Sequence, residues 1–218
     1  MDSLDLIASR NGTDKSSQIH NYCEKYEKYL PFDRLSNIKI LEIGVFNGES
    51  IQMWKEFYPN AIIVGLDINP NCKQYERKEE GIFIEIGSQD DPVFLKSLTD
   101  KYQKFDMVLD DGSHMQHHMI YSFEFLFDFV KNQGIYVLED TCCSYWPDFG
   151  GSIEGKNTII NYFKNLVDHV NFYGAYQKNF LWNARREDYL IEQSKDDNIR
   201  LDIESINFLN SIIIVNKR

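Results

Sequence analysis

The sequence predicts a doubly wound, mostly parallel α/β sheet. Short apolar runs alternate with stretches whose apolar residues have helical spacing. The runs are almost continuously apolar, which is typical of strands that are covered on both faces. Glycine or acidic residues follow most of the runs, as expected where strands end. Together these three features favour strands alternating with helices in one domain, which is a normal arrangement for 218 residues.

The elements follow in chain order. Five strands are predicted, at residues 38–45, 61–66, 82–86, 107–109 and 135–138. Helices are predicted at residues 49–58, 93–102, 115–131 and 157–170, with Pro92 opening the second and Gly134 stopping the third. After a polar stretch at 185–200, the runs 203–207 and 211–215 predict an antiparallel hairpin that closes the sheet. Residues 1–37 predict an N-terminal helical cap or lid, and residues 38–218 the main domain.

Composition argues against several partners and locations. The net charge of −11 comes without a basic patch, so neither nucleic acid nor an anionic membrane surface is an expected partner. No apolar run approaches the roughly 20 residues of a membrane span, and the early acids do not fit a signal peptide, so we expect a cytoplasmic protein. The four cysteines show no disulfide framework and no metal-binding spacing: Cys23, Cys72, Cys142 and Cys143.

A glycine turn follows the first predicted strand. Gly44 and Gly48 bracket it, and Phe46 stands where a dinucleotide fingerprint would have its second glycine. Asp67 follows Gly44 by 23 residues, the spacing of a carboxylate that binds ribose hydroxyls. A ribose-bearing cofactor without pyrophosphate therefore fits better than NAD, and S-adenosylmethionine (SAM) is the obvious candidate. The alternative is a simple tight turn, with Asp67 as a helix cap.

A second cofactor contact is predicted after the third strand. The segment Gly87-Ser88-Gln89-Asp90 could hold an adenine through backbone N–H groups and through the Gln89 and Asp90 side chains. A capped turn explains the segment equally well when it is considered alone.

Four acids follow two neighbouring strands. Asp110 and Asp111 end the fourth strand, and Glu139 and Asp140 end the fifth. Oxygen ligands of this kind suit Mg²⁺, or Mn²⁺ as a substitute, better than zinc. We expect Asp111, Glu139 and Asp140 to be the metal ligands, and Asp110 to support the loop or face the cofactor. Helix caps or a solvated acidic rim are the structural alternatives.

His114 comes three residues after Asp111 and is predicted to be a general base close to the metal. His117, His118 and His169 fall on predicted helices, where surface or packing roles are more common. They are left out of the predicted site.

Several motifs resemble those of one enzyme family. They lie at 41–50 (LEIGVFNGES), 64–67 (VGLD), 109–114 (LDDGSH) and 138–141 (LEDT). The sequence resembles class I SAM-dependent methyltransferases, specifically the metal-dependent macrolide-sugar O-methyltransferases of the mycinamicin and macrocin type. The likeness extends from about residue 11 to 217. It implies a Rossmann-like, doubly wound, mostly parallel seven-stranded sheet with a C-terminal antiparallel strand, the class I methyltransferase fold.

The resemblance also implies roles for individual residues. SAM would contact residues in the first four strand-end motifs: Glu42, Gly44, Gly48, Asp67, Ser88, Gln89 and Asp110. Mg²⁺ would be held by Asp111, Glu139 and Asp140, with His114 as the base. The implied reaction is Mg²⁺- and SAM-dependent methyl transfer to a hydroxyl of a sugar or similar vicinal diol, in glycan or natural-product biosynthesis.

Other functions remain open at this point. A catechol or small phenol could be the acceptor, or the chain could be a non-catalytic SAM- or carbohydrate-binding partner module. The expected partner is a small-molecule or glycan-linked sugar acceptor, and a homo-oligomer is left open. Family enzymes carry an extra N-terminal domain that assists assembly and substrate binding, and we do not expect that domain within these 218 residues.

Overall fold

A computed structural model describes residues 2–171 and 200–218, and within them the chain forms a seven-stranded sheet. The strands are β1 (Lys39–Ile43), β2 (Ile62–Asp67), β3 (Ile82–Ile86), β4 (Phe105–Asp110), β5 (Val130–Leu138), β6 (Ile203–Leu209) and β7 (Ile212–Lys217). Their spatial order is β3-β2-β1-β4-β5-β7-β6. Strands β1 to β5 are parallel, and β7 lies antiparallel to both β5 and β6. The predicted fold is confirmed.

Helices cover both faces of this sheet. Those described are α1 (Leu4–Asn11), α2 (Cys23–Tyr29), α3 (Glu49–Phe57), α4 (Pro92–Tyr102), α5 (Gln116–Leu126), α6 (Ile159–Asn165) and α7 (Val167–Val170). Short 3₁₀ helices lie at Pro70–Tyr75, Lys78–Glu80, Phe127–Phe129, Thr141–Tyr145 and Pro147–Phe149. The predicted helix at 157–170 is divided into α6 and α7, which meet at Leu166. None of the helices in these two ranges is both long and apolar enough to cross a membrane.

The hydrophobic core consists of two layers, one on each side of the sheet. Successive residues of β1 point to opposite sides, so Ile40 joins one layer and Leu41 the other. This is why the strands are apolar without alternation. The N-terminal helices belong to the first layer, where Tyr26 of α2 packs edge-on against Trp54 of α3 with 5.2 Å between ring centroids. The N-terminal segment is thus packed into the core.

The start of β5 differs from the prediction. We expected a helix to continue to residue 131 and Gly134 to stop it, but α5 ends at Leu126 and Gly134 lies inside β5. A side chain at Gly134 would approach the backbone oxygen of Asp106 to 2.6 Å, next to a register shift in the β4–β5 pairing. Gly134 therefore permits close contact between β4 and β5 at this irregularity. In the sequence, the same glycine was mistaken for a helix stop signal.

The predicted C-terminal hairpin is confirmed as β6 and β7, and β7 inserts between β5 and β6. The polar stretch predicted at 185–200 lies outside the described residues except for Arg200. The chain order reverses between β1 and β4, whose neighbours are β2 and β5 respectively. Ligands bind open α/β sheets beside such a switch point, at the carboxyl ends of the strands.

Candidate functional site

A cavity of about 630 Å³ opens at the carboxyl ends of the parallel strands. Its wall includes Gly44 after β1, Asp67 at the end of β2, and Gln89 after β3. Asp111 and His114, which follow β4, also line it. With Asp140 after β5, the structure therefore brings residues from five separate strand ends to one cavity.

The glycine turn is built around a single carboxylate. The Asp67 carboxylate accepts hydrogen bonds from the backbone N–H groups of Val45 (2.8 Å) and Phe46 (3.1 Å). Its other oxygen accepts from the backbone N–H of Asn69 at 2.8 Å. Burial alone would raise the pKa of Asp67, but these donors lower it below its usual value. The acid is thus held ionised at the cavity wall.

Gly44 has a backbone φ of +93°, and any side chain there would collide with the backbone of Asp111. The turn after β1 and the loop after β4 therefore touch directly, which requires glycine. Phe46 next to it is 79% exposed and lies on the cavity wall. Gly48 is not on the wall; it begins α3 and faces the ring of Tyr75.

Asp110 lies beneath the cavity and holds its floor together. It is 1% exposed, and its carboxylate accepts hydrogen bonds from Gln89 Nε2 (3.0 Å), from the Ser122 hydroxyl and from the Tyr136 hydroxyl (3.3 Å). Burial raises the pKa of Asp110 to about 6, although these donors oppose the increase. Gln89 Oε1 also accepts from the Ser113 backbone N–H at 2.8 Å. Asp110 therefore supports the loop, one of the two roles expected for it.

Three potential metal ligands lie close together on the cavity wall. Asp111, His114 and Asp140 each offer one ligand atom, and these atoms lie within 4.8 Å of one another. His114 Nε2 is 3.7 Å from Asp140 Oδ2, and His114 Nδ1 is buried without a hydrogen-bond partner among the described residues. His114 and Asp140 both have positive φ angles, of 56° and 48°, which turn them toward each other from the ends of β4 and β5.

Glu139 lies deeper than these three residues. It is 1% exposed, is not on the cavity wall, and accepts hydrogen bonds from the hydroxyl of Tyr26 and from Lys15 Nζ at 2.7 Å. Lys15 also contacts Asp111 Oδ2, and its Nζ is 4.0 Å from Glu42 Oε1. Neither carboxylate oxygen of Glu42 has a hydrogen-bond partner in the described part of the chain, and burial raises the pKa of Glu42 to about 7.

Four polar contacts of the site were missed in the sequence. Lys15, Tyr22 and Tyr26 come from the N-terminal segment, and the Tyr22 hydroxyl donates to Asp140 Oδ1 at 2.5 Å. His118 was left out of the predicted site as a surface or packing residue, yet it lines the cavity. His118 Nδ1 is 2.8 Å from the Ser113 hydroxyl, and its Nε2 is 3.2 Å from Asp90. None of these residues stands at a strand end, where the ligands and the base were predicted, and the N-terminal segment was predicted only as a cap or lid.

The donor set fits a hard divalent cation. Carboxylate oxygens of Asp111 and Asp140 are the ligands that Mg²⁺ prefers, and a buried carboxylate, Glu139, adds negative charge directly behind them. The unpartnered Nδ1 of His114 leaves that imidazole free to bond to a further group. In the described residues the cysteines are free, and none of them joins this group of ligands.

The fold and the site can be compared with known proteins. No protein-family model matches the chain. The MycE methyltransferase of the mycinamycin biosynthetic pathway, solved with Mg, SAH and mycinamycin VI, superimposes with a TM-score of 0.81 at 30% identity, over 99% of this chain and 53% of that chain. With the sheet order and strand-end cavity described above, this places the chain among the class I SAM-dependent methyltransferases.

Sequence relatives identify a family within that class. The chain is 33% identical over 180 residues to the L-olivosyl-oleandolide 3-O-methyltransferase of Streptomyces antibioticus, covering 78% of this chain and 46% of that protein. It is 37% identical over 177 residues to the demethylmacrocin O-methyltransferase of Streptomyces fradiae, covering 77% and 44%. The chain is thus a relative of the macrolide-sugar O-methyltransferases, as its motifs indicated. It spans about half the length of the curated relatives it matches.

Proposed function

We propose that this chain carries the catalytic unit of a Mg²⁺- and SAM-dependent O-methyltransferase that acts on a sugar hydroxyl, or on a similar vicinal diol, of a glycan or natural product. The observation that carries the proposal is the meeting of Asp111, His114 and Asp140 at the end of a cavity that starts at Gly44 and Asp67. The named activities of the sequence relatives and the mycinamycin VI complex of MycE support a sugar-bearing acceptor.

The residues proposed to bind the cofactor lie along one part of the cavity wall. The turn at Gly44, with Asp67, would receive the ribose side of the cofactor, and Ser88 would face its adenine side. Gln89 and Asp110 would shape that floor through their shared hydrogen bonds. Methyl donor and acceptor would then be held in one cavity, and their orientation is itself a large part of catalysis.

The proposed reaction depends on removing a proton from the acceptor hydroxyl, at the metal end of the cavity. When bound, Mg²⁺ supplies positive charge that stabilises a developing alkoxide, and SAM supplies the methyl group. Asp111 and Asp140 would hold the ion, with Glu139 as the third predicted ligand or as the buried charge behind it. The His114 imidazole would accept the proton of the acceptor hydroxyl, since neutral imidazole is a suitable base near neutral pH. The aromatic ring of Phe149, 6.0 Å from His114 between centroids, would limit water there.

We also propose that residues 1–37 act as a cap on the methyltransferase domain formed by 38–218. Tyr22 and Lys15 reach from this segment to Asp140 and Asp111. The exposed His20 ring stacks on the buried Tyr22 ring with 5.2 Å between ring centroids, beside the proposed acceptor end. Acceptor choice would then depend on the cap.

A transfer assay with labelled SAM tests the function. We expect methyl transfer to sugar diols, such as macrolides that carry a deoxysugar, with Mg²⁺ present and none with a chelator. A parallel series of catechols tests the alternative acceptor class. Binding of SAM without turnover on any diol or catechol would contradict an enzymatic role for this chain and favour a non-catalytic binding module.

A further inference from the structure

We propose that Lys15 is a positioning residue that serves as a built-in counter-ion, compensating the buried acids Glu139 and Glu42 and holding Asp111 where a divalent cation would bind. The inference rests on the proposed metal site, and it concerns a residue outside the metal-ligand set. It gives the N-terminal segment a defined part in the chemistry, because Lys15 lies between α1 and α2.

The contacts of Lys15 support this role. Its side chain is 1% exposed, and its ammonium group donates to Asp111 and to Glu139, with Glu42 at 4.0 Å. A lysine is almost never fully buried unless it is paired. Every charged group that the structure places within ion-pair distance of this ammonium is an acid of the site. Lys15 is therefore buried for its charge, since an apolar side chain would fill the same space without the cost of removing an ammonium from water.

The backbone holds Lys15 equally firmly. Its carbonyl oxygen accepts hydrogen bonds from the N–H groups of Tyr22 (2.9 Å) and Cys23 (3.1 Å), at the beginning of α2. Its N–H donates to the Thr13 hydroxyl at 3.4 Å. The backbone of Lys15 and its ammonium group are thus both fixed, so the ammonium group is held at one position. A flexible surface lysine would not be pre-organised in this way.

The acids require such a group. Glu139 and Glu42 are almost completely buried, and together with Asp111 they place three carboxylates within 4.0 Å of one ammonium. Asp140 adds a fourth acid to the site. Buried like charges are costly unless cations compensate them. Lys15 compensates the charge of the buried acids Glu139 and Glu42. Asp111, His114 and Asp140 line the cavity. One divalent cation would then complete the compensation.

Thermal unfolding of Lys15→Met tests the proposal, because Met keeps much of the volume and removes the charge. In metal-free protein we expect the midpoint to fall by roughly 10 °C, since loss of one partner of a buried ion pair is strongly destabilising. Saturating Mg²⁺ should reduce the difference from wild type by at least half, because the dication supplies the missing charge. Lys96→Met, which removes an exposed lysine whose ion pair among the described residues is with Asp100, should change neither value.

A double variant makes the test independent of the metal. In metal-free protein, Lys15→Met with Glu139→Gln should be more stable than Lys15→Met alone, because the unpaired buried carboxylate is gone. If Lys15→Met does not fold by itself, the double variant or added Mg²⁺ should restore folding. A double variant no more stable than the single one would overturn the role of Lys15, and so would a midpoint difference that Mg²⁺ leaves unchanged in protein that binds Mg²⁺. Calorimetry of Mg²⁺ with wild type tests the metal site separately, and a missing signal there would contradict the proposed function alone.

Discussion

Asp67 and Glu139 are both acids at strand ends, but they are stabilised in opposite ways. Asp67 is held by backbone N–H groups of its own βαβ unit, from residues at most 22 positions away. Glu139 is held by the side chains of Lys15 and Tyr26, which are 124 and 113 positions away. The first acid is kept ionised by local chain geometry, whereas the second depends on the N-terminal segment folding against the sheet. The proposed cofactor end is therefore local in origin, and the proposed metal end is assembled over long range.

Asp111→Asn should have the largest effect and act at the metal end only. We expect methyl transfer to fall about 10⁴-fold, because the developing alkoxide loses the several kcal/mol that a bound metal ion supplies. SAM binding by calorimetry should persist, and Asp100→Asn, an exposed acid on α4, is the matched control. Loss of SAM binding in folded Asp111→Asn protein would move this acid to the cofactor end.

His114→Ala should come next, with turnover about 10³-fold lower and metal affinity little changed, since a general base typically contributes that much. Calorimetry with Mg²⁺ and single-turnover kinetics measure the two quantities separately. A large fall in metal affinity would instead make His114 a ligand beside Asp111 and Asp140.

Tyr26→Phe tests the long-range support of Glu139. Removing a hydroxyl that donates to a buried carboxylate should lower the free energy of unfolding by about 2 kcal/mol. Urea denaturation measures it, with Tyr29→Phe as the control, because Tyr29 lies on the same helix and its hydroxyl makes no hydrogen bond to the described residues. Equal stability of the two variants would show that Glu139 does not need the Tyr26 hydroxyl.

Asp67→Asn should have the smallest effect, about a tenfold loss of SAM affinity with Mg²⁺ affinity unchanged. The pKa of Asp67 is lowered in the folded chain, so its stabilising contribution is complete above the unfolded value of about 3.9 and is lost as the pH falls through the folded value. Acid titration of unfolding should therefore lose one transition below about pH 4 in the variant. An unchanged titration would mean that the backbone donors do not stabilise the charged form.

Prediction from sequence succeeded where a signal is local. Continuous apolar runs predicted the five parallel strands, and the same runs placed Asp67, Gln89, Asp111 and His114 at strand ends, where the structure has them on the cavity wall. Prediction was wrong at Gly134, since a glycine looks the same whether it stops a helix or lets two strands approach.

By itself, the sequence determined the class of fold and the edge of the sheet at which the candidate acids lie, because strand period and turn chemistry are written in neighbouring residues. Only the tertiary structure decided that Asp110 supports the floor, that Glu139 lies behind the outer acids, and that Lys15 enters the cluster. The pairings of Lys15 join residues 96 and 124 positions apart. No local pattern encodes such pairings, because they depend on how separate elements pack.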